Sequence, residues 1–145
     1  MKSLLLAPIL TLCLLTSSGA QTKAATSPED AKRIGEGIVA ALAASNPNGA
    51  VATMQPYTVV PASDFDVFKA QFLGQQDKLI GQFGLPSGYE FIRSDNVGTR
   101  VVRHTFLVFY DKAPIRWSFV FYKAASGWVL THFNFEGNAS TFFSQ

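Results

Sequence analysis

From Tyr89 onward the chain is written in four short runs rich in β-branched and aromatic residues: Tyr89–Ser94, Thr99–Tyr110, Ile115–Tyr122 and Trp128–Phe135. Turn-forming stretches separate them: Asp95-Asn96-Val97-Gly98, Asp111-Lys112-Ala113-Pro114 and Ala124-Ala125-Ser126-Gly127. Loops this short join only antiparallel neighbours, because a parallel pair needs a crossover of roughly a dozen residues or more. The second half therefore reads as an antiparallel meander of hairpins. Such a sheet has one apolar face that other elements must cover.

The first half supplies the cover. Ser27-Pro28-Glu29-Asp30 reads as a helix start, with Ser27 as cap, Pro28 in the first turn and Asp30 three residues on. Ala31, Ile34, Ile38 and Leu42 then recur at helical spacing. Gly35 and Gly37 weaken this helix by about 1 kcal/mol each, and allow close approach of another element. Asn46-Pro47-Asn48-Gly49 ends it. Residues 50–61 fit either a helical turn or an extended connector. A second long helix starts at Ser63 and carries Phe65, Phe68, Phe72, Leu79 and Phe83 on one face. Gly84 and Pro86 stop it. The expected fold class is α+β: N-terminal helices packed on a curved, cone-like, four-stranded antiparallel sheet, as one domain over residues 27–137.

Residues 1–20 carry a different message. Lys2 opens them, Leu4 to Leu15 form an apolar run, and Ser18 and Ala20 are small residues suited to a cut before Gln21. That is the plan of a secretory signal peptide, with the mature chain secreted or periplasmic and no stable membrane insertion after cleavage. The apolar run falls short of the roughly 20 residues that span a bilayer. Residues 21–26 read as a flexible lead-in and 138–145 as a C-terminal tail. Cys13 is the only cysteine and leaves with the signal, so the mature chain has no disulfide and no thiolate chemistry. Without Lys2 there are eleven Lys and Arg against ten Asp and Glu, a balance that argues against nucleic acid as a partner. The positive excess sits in the second half, where it would favour an anionic ligand or simply a solvated surface.

A pairing of Tyr110 with Ile115 and of Tyr122 with Val129 sorts the strands into two faces. One face, the more aromatic, is expected beneath the helices and holds His104, Phe106, Tyr110, Trp117, Phe119, His132 and Asn134. The other holds Arg103, Arg116, Phe133 and Phe135. His104 and His132 would then lie about 11 Å apart, too far to share a metal, and no inward carboxylate completes a ligand set. No metal and no cofactor are expected. His104, Tyr110, Trp117, His132 and Asn134 make a candidate ligand pocket, an aromatic wall with polar tips that equally suits an ordinary core edge. Arg103, Arg116, Phe133 and Phe135 make a candidate homodimer interface, unless Phe142 and Phe143 of the tail fold back over it. No nucleophile elbow, phosphate loop or zincin motif is present. Asn138-Ala139-Ser140 matches the glycan acceptor pattern.

The order of elements, with Phe65-Asp66-Val67-Phe68 opening the long helix and Phe83-Gly84-Leu85-Pro86-Ser87-Gly88 closing it, resembles the nuclear-transport-factor-two-like (cystatin-like) fold. The closing hairpin Phe119–Leu130, with its Gly127-Trp128 step, is similar to that of small secreted bacterial domains of unknown function in that superfamily. The resemblance implies a cavity between helices and sheet, used for catalysis in some members and only for binding in many. Its isomerase-like and dehydratase-like members set acidic, histidine or tyrosine side chains there. No Asp or Glu falls on the inner face here, a departure from those members that, with the aromatic inner face, points to a non-enzymatic module holding a small apolar or weakly anionic ligand or a protein partner. The alternative is acid–base chemistry with His104 or His132 as base and Tyr110 as donor.

Overall fold

The computed structural model describes residues 22–144, so the expected signal segment and its cut lie outside the described residues. Helix α1 spans Pro28–Ala43, and the Ser27 side chain accepts from the Asp30 N–H at 3.0 Å, as the capping pattern requires. Asp30 reaches one residue further back than a capping box would and accepts from the Thr26 N–H. The Asn46-Pro47 stop is also a start: Asn46 caps helix α2, Pro47–Met54, by accepting from the Gly49 N–H. A 3₁₀ turn over Gln55–Tyr57 follows, which resolves the ambiguous stretch as mostly helical. Helix α3 spans Ala62–Phe83 and ends at Gly84. Among the described residues no helix is long and apolar enough to cross a membrane.

The four strands are β1 Pro86–Val97, β2 Val101–Tyr110, β3 Pro114–Ala124 and β4 Gly127–Glu136. They form one antiparallel sheet in the order β1-β2-β3-β4. The fold is α+β, a helical layer on one face of an antiparallel meander. Val102, His104, Phe106, Val108, Tyr110, Ile115, Trp117, Phe119 and Phe121 are all buried, and alternate with less buried neighbours along β2 and β3. Gly35 of α1 makes the closest approach: a Cβ there would stand 3.0 Å from Phe106 and 3.2 Å from Phe119. Phe72 of α3 packs edge-on to Trp117 with ring centroids 5.9 Å apart. Each such aromatic contributes about 1.5–3 kcal/mol by leaving water.

Three expectations need correction. The β2–β3 hairpin pairs Val108, not Tyr110, with Ile115. The slip is two residues, so faces are preserved. The β3–β4 hairpin does pair Tyr122 with Val129, but a bulge intervenes after Phe121↔Leu130, and the next pair is Val120↔His132. Thr131 is the extra residue, and its hydroxyl donates to the Val120 carbonyl at 3.2 Å. An inserted residue turns everything beyond it to the opposite face. Phe133 and Phe135 therefore sit opposite Phe119 and Trp117 on the inner face, while His132 and Asn134 sit opposite Val120 and Ser118 on the outer one. Phe133 packs on Phe68 at 5.0 Å and Phe135 on Trp117 at 4.8 Å.

The third correction concerns the lead-in. Residues 22–26 are tied to the domain: Lys23 N–H donates to the Pro56 carbonyl, and Ala25, fully buried, exchanges backbone hydrogen bonds with Trp128. Gly127, at φ +126°, permits this, since a Cβ there would stand 2.6 Å from the Ala25 carbonyl oxygen.

The bulge makes neighbours unequal. Phe133→Ala is expected to lower unfolding stability by about 2–4 kcal/mol and His132→Ala by less than about 1 kcal/mol, read from urea midpoints. Equal losses would contradict the split of faces.

Candidate functional site

The five side chains expected to share a pocket are divided by the sheet. His104, Tyr110 and Trp117 point beneath the helices and are 2%, 7% and 0% exposed. His132 and Asn134 are exposed on the other side. The interface set divides likewise: Arg103 and Arg116 stay outside, and Phe133 and Phe135 go in. Tyr110 is no partner for either histidine. Its hydroxyl faces Gln76 of α3, with the Gln76 Oε1 as acceptor at 3.5 Å, a weak bond. Burial pushes the Tyr110 hydroxyl up to about 12.

The outer face carries a groove of about 550 Å³. Arg93, Arg103, Arg116, Thr105, Ser118, Val120, His132, Asn134, Thr141 and Ser144 line it. Two bulges assemble it. In β1 the register shifts between Phe91 and Arg93, leaving Ile92 unpaired. Phe91 pairs with inward Phe106, yet Arg93 pairs with outward Thr105; were Ile92 paired in the ladder instead of bulged, strict alternation would turn the guanidinium to the core. In β4 the Thr131 bulge delivers His132 and Asn134. A polar row Arg93–Thr105–Ser118–Asn134 then crosses all four strands, flanked by Arg103–Val120–His132.

Electrostatics in the groove are set by arginines. One carboxylate oxygen of Asp95, Oδ2, accepts from Arg93 Nε at 3.1 Å and from Arg103 Nε and Nη2 at 3.3 and 3.0 Å. Burial by itself would raise the Asp95 pKa, but hydrogen bonds from Arg103 and Arg93, then their charges, outweigh it and hold the carboxyl below its usual range. These side chains are 37–47% exposed, so solvent screening leaves the cluster a positioning device rather than a source of stability. Arg116 is held separately. Its Nη1 donates to the Thr141 carbonyl at 3.0 Å, and its guanidinium lies 5.2 Å from the Phe142 ring. The tail thus folds back as a 3₁₀ turn over Ala139–Phe143, with Phe142 against Arg116, while Phe143 is 87% exposed. Asp95 pairs with Arg93 and Arg103, Glu136 stands across the strand from Arg116, and no Asp or Glu is among the side chains that line the groove itself.

Other clefts lie outside the groove. One of about 340 Å³ lies between the lead-in and the α2–α3 connection, lined by Thr22, Ala52, Gln55, Pro56, Thr58, Val60, Ala62 and Phe65. A smaller one of about 120 Å³ lies at the start of α1 beside Ser94 and His104. Among the described residues no cluster of three His, Cys, Asp or Glu could hold a metal ion.

Arg103 and Arg116 were recognisable from alternation alone. His132 and Asn134 were singled out but assigned to the opposite face, and Arg93 was not singled out, because a bulge has no reliable signature in one sequence and each lies just beyond one.

Tyr110 offers a direct check of burial. Because its folded pKa lies above the unfolded value of about 10, the ionisation leaves stability untouched below pH 10 and lowers it as pH rises toward 12. The melting temperature of Tyr110→Phe is therefore expected to fall less steeply than wild type over that window. Parallel curves would show that the hydroxyl titrates normally.

No protein-family model and no curated protein sequence matches the chain. Among solved structures it is similar to a Campylobacter jejuni protein carrying the provisional name NTF2-like transpeptidase, at 11% identity and a TM-score of 0.49, covering 74% of this chain and 99% of that one.

Proposed function

We propose that this chain is an exported binding module whose outer groove holds a small anionic ligand. The observation that carries the reading is the lining: Arg93, Arg103 and Arg116 converge on one polar groove that has no carboxylate of its own. Guanidinium is the side chain best suited to planar two-point recognition of carboxylate or phosphate. Ser118, Asn134 and His132 add donors and acceptors that would orient the rest of a polar molecule. A groove of this volume falls in the range of small-molecule sites. Val120 is the one apolar residue among those that line it, and the polar tips of the rest favour a hydrophilic ligand over an apolar one.

Export rests on the apolar leader and its small-residue end. Expressed in a bacterial host, the chain would appear in the periplasmic fraction with a mass beginning at Gln21. A retained Met1 in the soluble cytoplasmic fraction would remove this part of the proposal. The sequence resemblance to small exported domains of the nuclear-transport-factor-two-like kind supports binding without requiring catalysis.

Titration calorimetry against phosphate, citrate and glucuronate tests the groove. At least one anion is expected to bind, with affinity falling as salt rises. Arg116→Gln and Arg103→Gln should each weaken it by about tenfold or more, the worth of a hydrogen bond to a charged group. Absence of heat for every anion, or variants that bind as wild type does, would overturn the reading.

A further inference from the structure

On the inner face, one step in register from the arginine groove but on the opposite side of the sheet, Ser94 and His104 stand directly opposite each other across β1 and β2. The Ser94 Oγ lies 2.7 Å from His104 Nδ1. The two partners differ sharply in exposure: Ser94 is exposed, whereas His104 is 2% exposed. With the hydroxyl donating to Nδ1, the ring hydrogen resides on Nε2, which is buried without a well-formed hydrogen bond. A buried ring N–H that is poorly met costs up to about 1–3 kcal/mol, so an apolar core residue at position 104 would serve packing better. The pair opens on the 120 Å³ cleft, whose rim adds Lys32, Glu29 and Asn96. The Lys32 ammonium is held in place 3.7 Å from the Phe91 ring centroid.

An exposed hydroxyl, hydrogen-bonded to a buried ring nitrogen at a cleft with a fixed cation, is the minimal arrangement for nucleophilic attack. We infer that Ser94 and His104 form a nucleophile–base pair that accepts the acyl group of a small ester. Ser94 Oγ bonds to the ester carbonyl carbon while His104 Nδ1 takes the hydroxyl proton and the carbonyl electron pair moves onto oxygen. The Lys32 ammonium and Asn96 amide stand at the rim to meet that negative charge. Collapse breaks the bond to the alcohol, which leaves with the proton from Nδ1. Water then repeats the sequence on the acyl-serine, releasing the acid and restoring the hydroxyl. The cleft is far below the usual volume of drug-sized sites, so a short acyl group such as acetyl fits and a fatty acyl group does not.

Burial lowers the proton affinity of His104. The Pro28 carbonyl opposes that, the Lys32 charge adds to it, and the Glu29 charge opposes it again. The net direction keeps the ring neutral, the form a base requires, at neutral pH.

The test uses the purified protein with p-nitrophenyl acetate, and separately with an alkyl fluorophosphonate followed by intact mass and peptide mapping. Wild type is expected to release nitrophenolate at least tenfold faster than Ser94→Ala, and to carry the phosphonyl adduct on Ser94. His104→Gln should slow release by about a hundredfold. Because His104 is buried, Ser94→Cys keeps the proposal exposed to refutation with the histidine intact: its thiol should react with iodoacetamide markedly faster than free cysteine. A wild-type rate in Ser94→Ala, an adduct confined to other residues, or an unactivated thiol in Ser94→Cys would each show that the serine only satisfies the ring. These outcomes are independent of anion binding, so the groove and the pair stand or fall separately.

Discussion

Two unpaired residues, Ile92 in β1 and Thr131 in β4, govern which face Arg93, Ser94, His132 and Asn134 present, and so complete both the groove and the cleft around side chains of the central strands. Side chains alternate along a strand with period two, so one inserted residue exchanges the faces of all that follow. At Ile92 the exchange sends Arg93 outward and Ser94 inward. At Thr131 it sends His132 and Asn134 outward and brings Phe133 and Phe135 under the helices. Both bulges lie in edge strands, where the ladder is unpaired on one side and an extra residue disturbs fewer hydrogen bonds. The Thr131 hydroxyl also compensates at its own site by donating to the Val120 carbonyl. Bulges increase local bend and twist, which suits a sheet that wraps its aromatic face around helices.

The consequence for function is a division of labour between faces. Beneath the helices, Phe65, Phe72, Phe106, Trp117, Phe119 and Phe121 are almost entirely removed from water, and this interior replaces disulfides as the source of stability. Polar intrusions there are few and poorly partnered: Gln76 Nε2, His104 Nε2 and Trp117 Nε1 make no well-formed hydrogen bond. The outer face is the reverse. It is polar across all four strands, ordered by the Asp95 ion pairs at one end and by the tail against Arg116 at the other. Phe133 and Phe135 are drawn inside, and the apolar side chains left exposed beside that face are Ile92, Tyr122 and Phe143.

Local chemistry made much of the fold legible. The Ser27 cap, the Gly84 stop and the three short turns are decided by a few neighbouring residues, and the two long helices and four strands stand within about three residues of where the sequence put them, whereas Asn46 was read as a stop and not as the cap of α2. The covered face of β2 and β3 was legible because the pairing between them runs without a register shift, although Thr105 on the outer face is also buried. The site was legible only where the same condition held, at Arg103 and Arg116. Beyond the bulges, counting by twos fails, and it misplaced His132, Asn134, Phe133 and Phe135 together. The docking of Ala25 beside Trp128 was invisible for a different reason, since a polar hexapeptide shows no sign of the distant strand end that receives it.

The amino-acid sequence alone determined two amphipathic helices, a third half read, and a four-stranded antiparallel meander whose central strands turn their aromatic residues to those helices. Capping, turn propensity and period-two alternation are local, and they act before any long-range contact exists. Tertiary structure decided the register at the edges, and so which of Arg93, Ser94, His132, Asn134, Phe133 and Phe135 meet ligand, cleft or core. A bulge is selected only when the rings of Phe133 and Phe135 gain more by burial against Phe68 and Trp117 than the ladder loses by one unpaired residue. That balance is struck between strands and helices far apart in the chain.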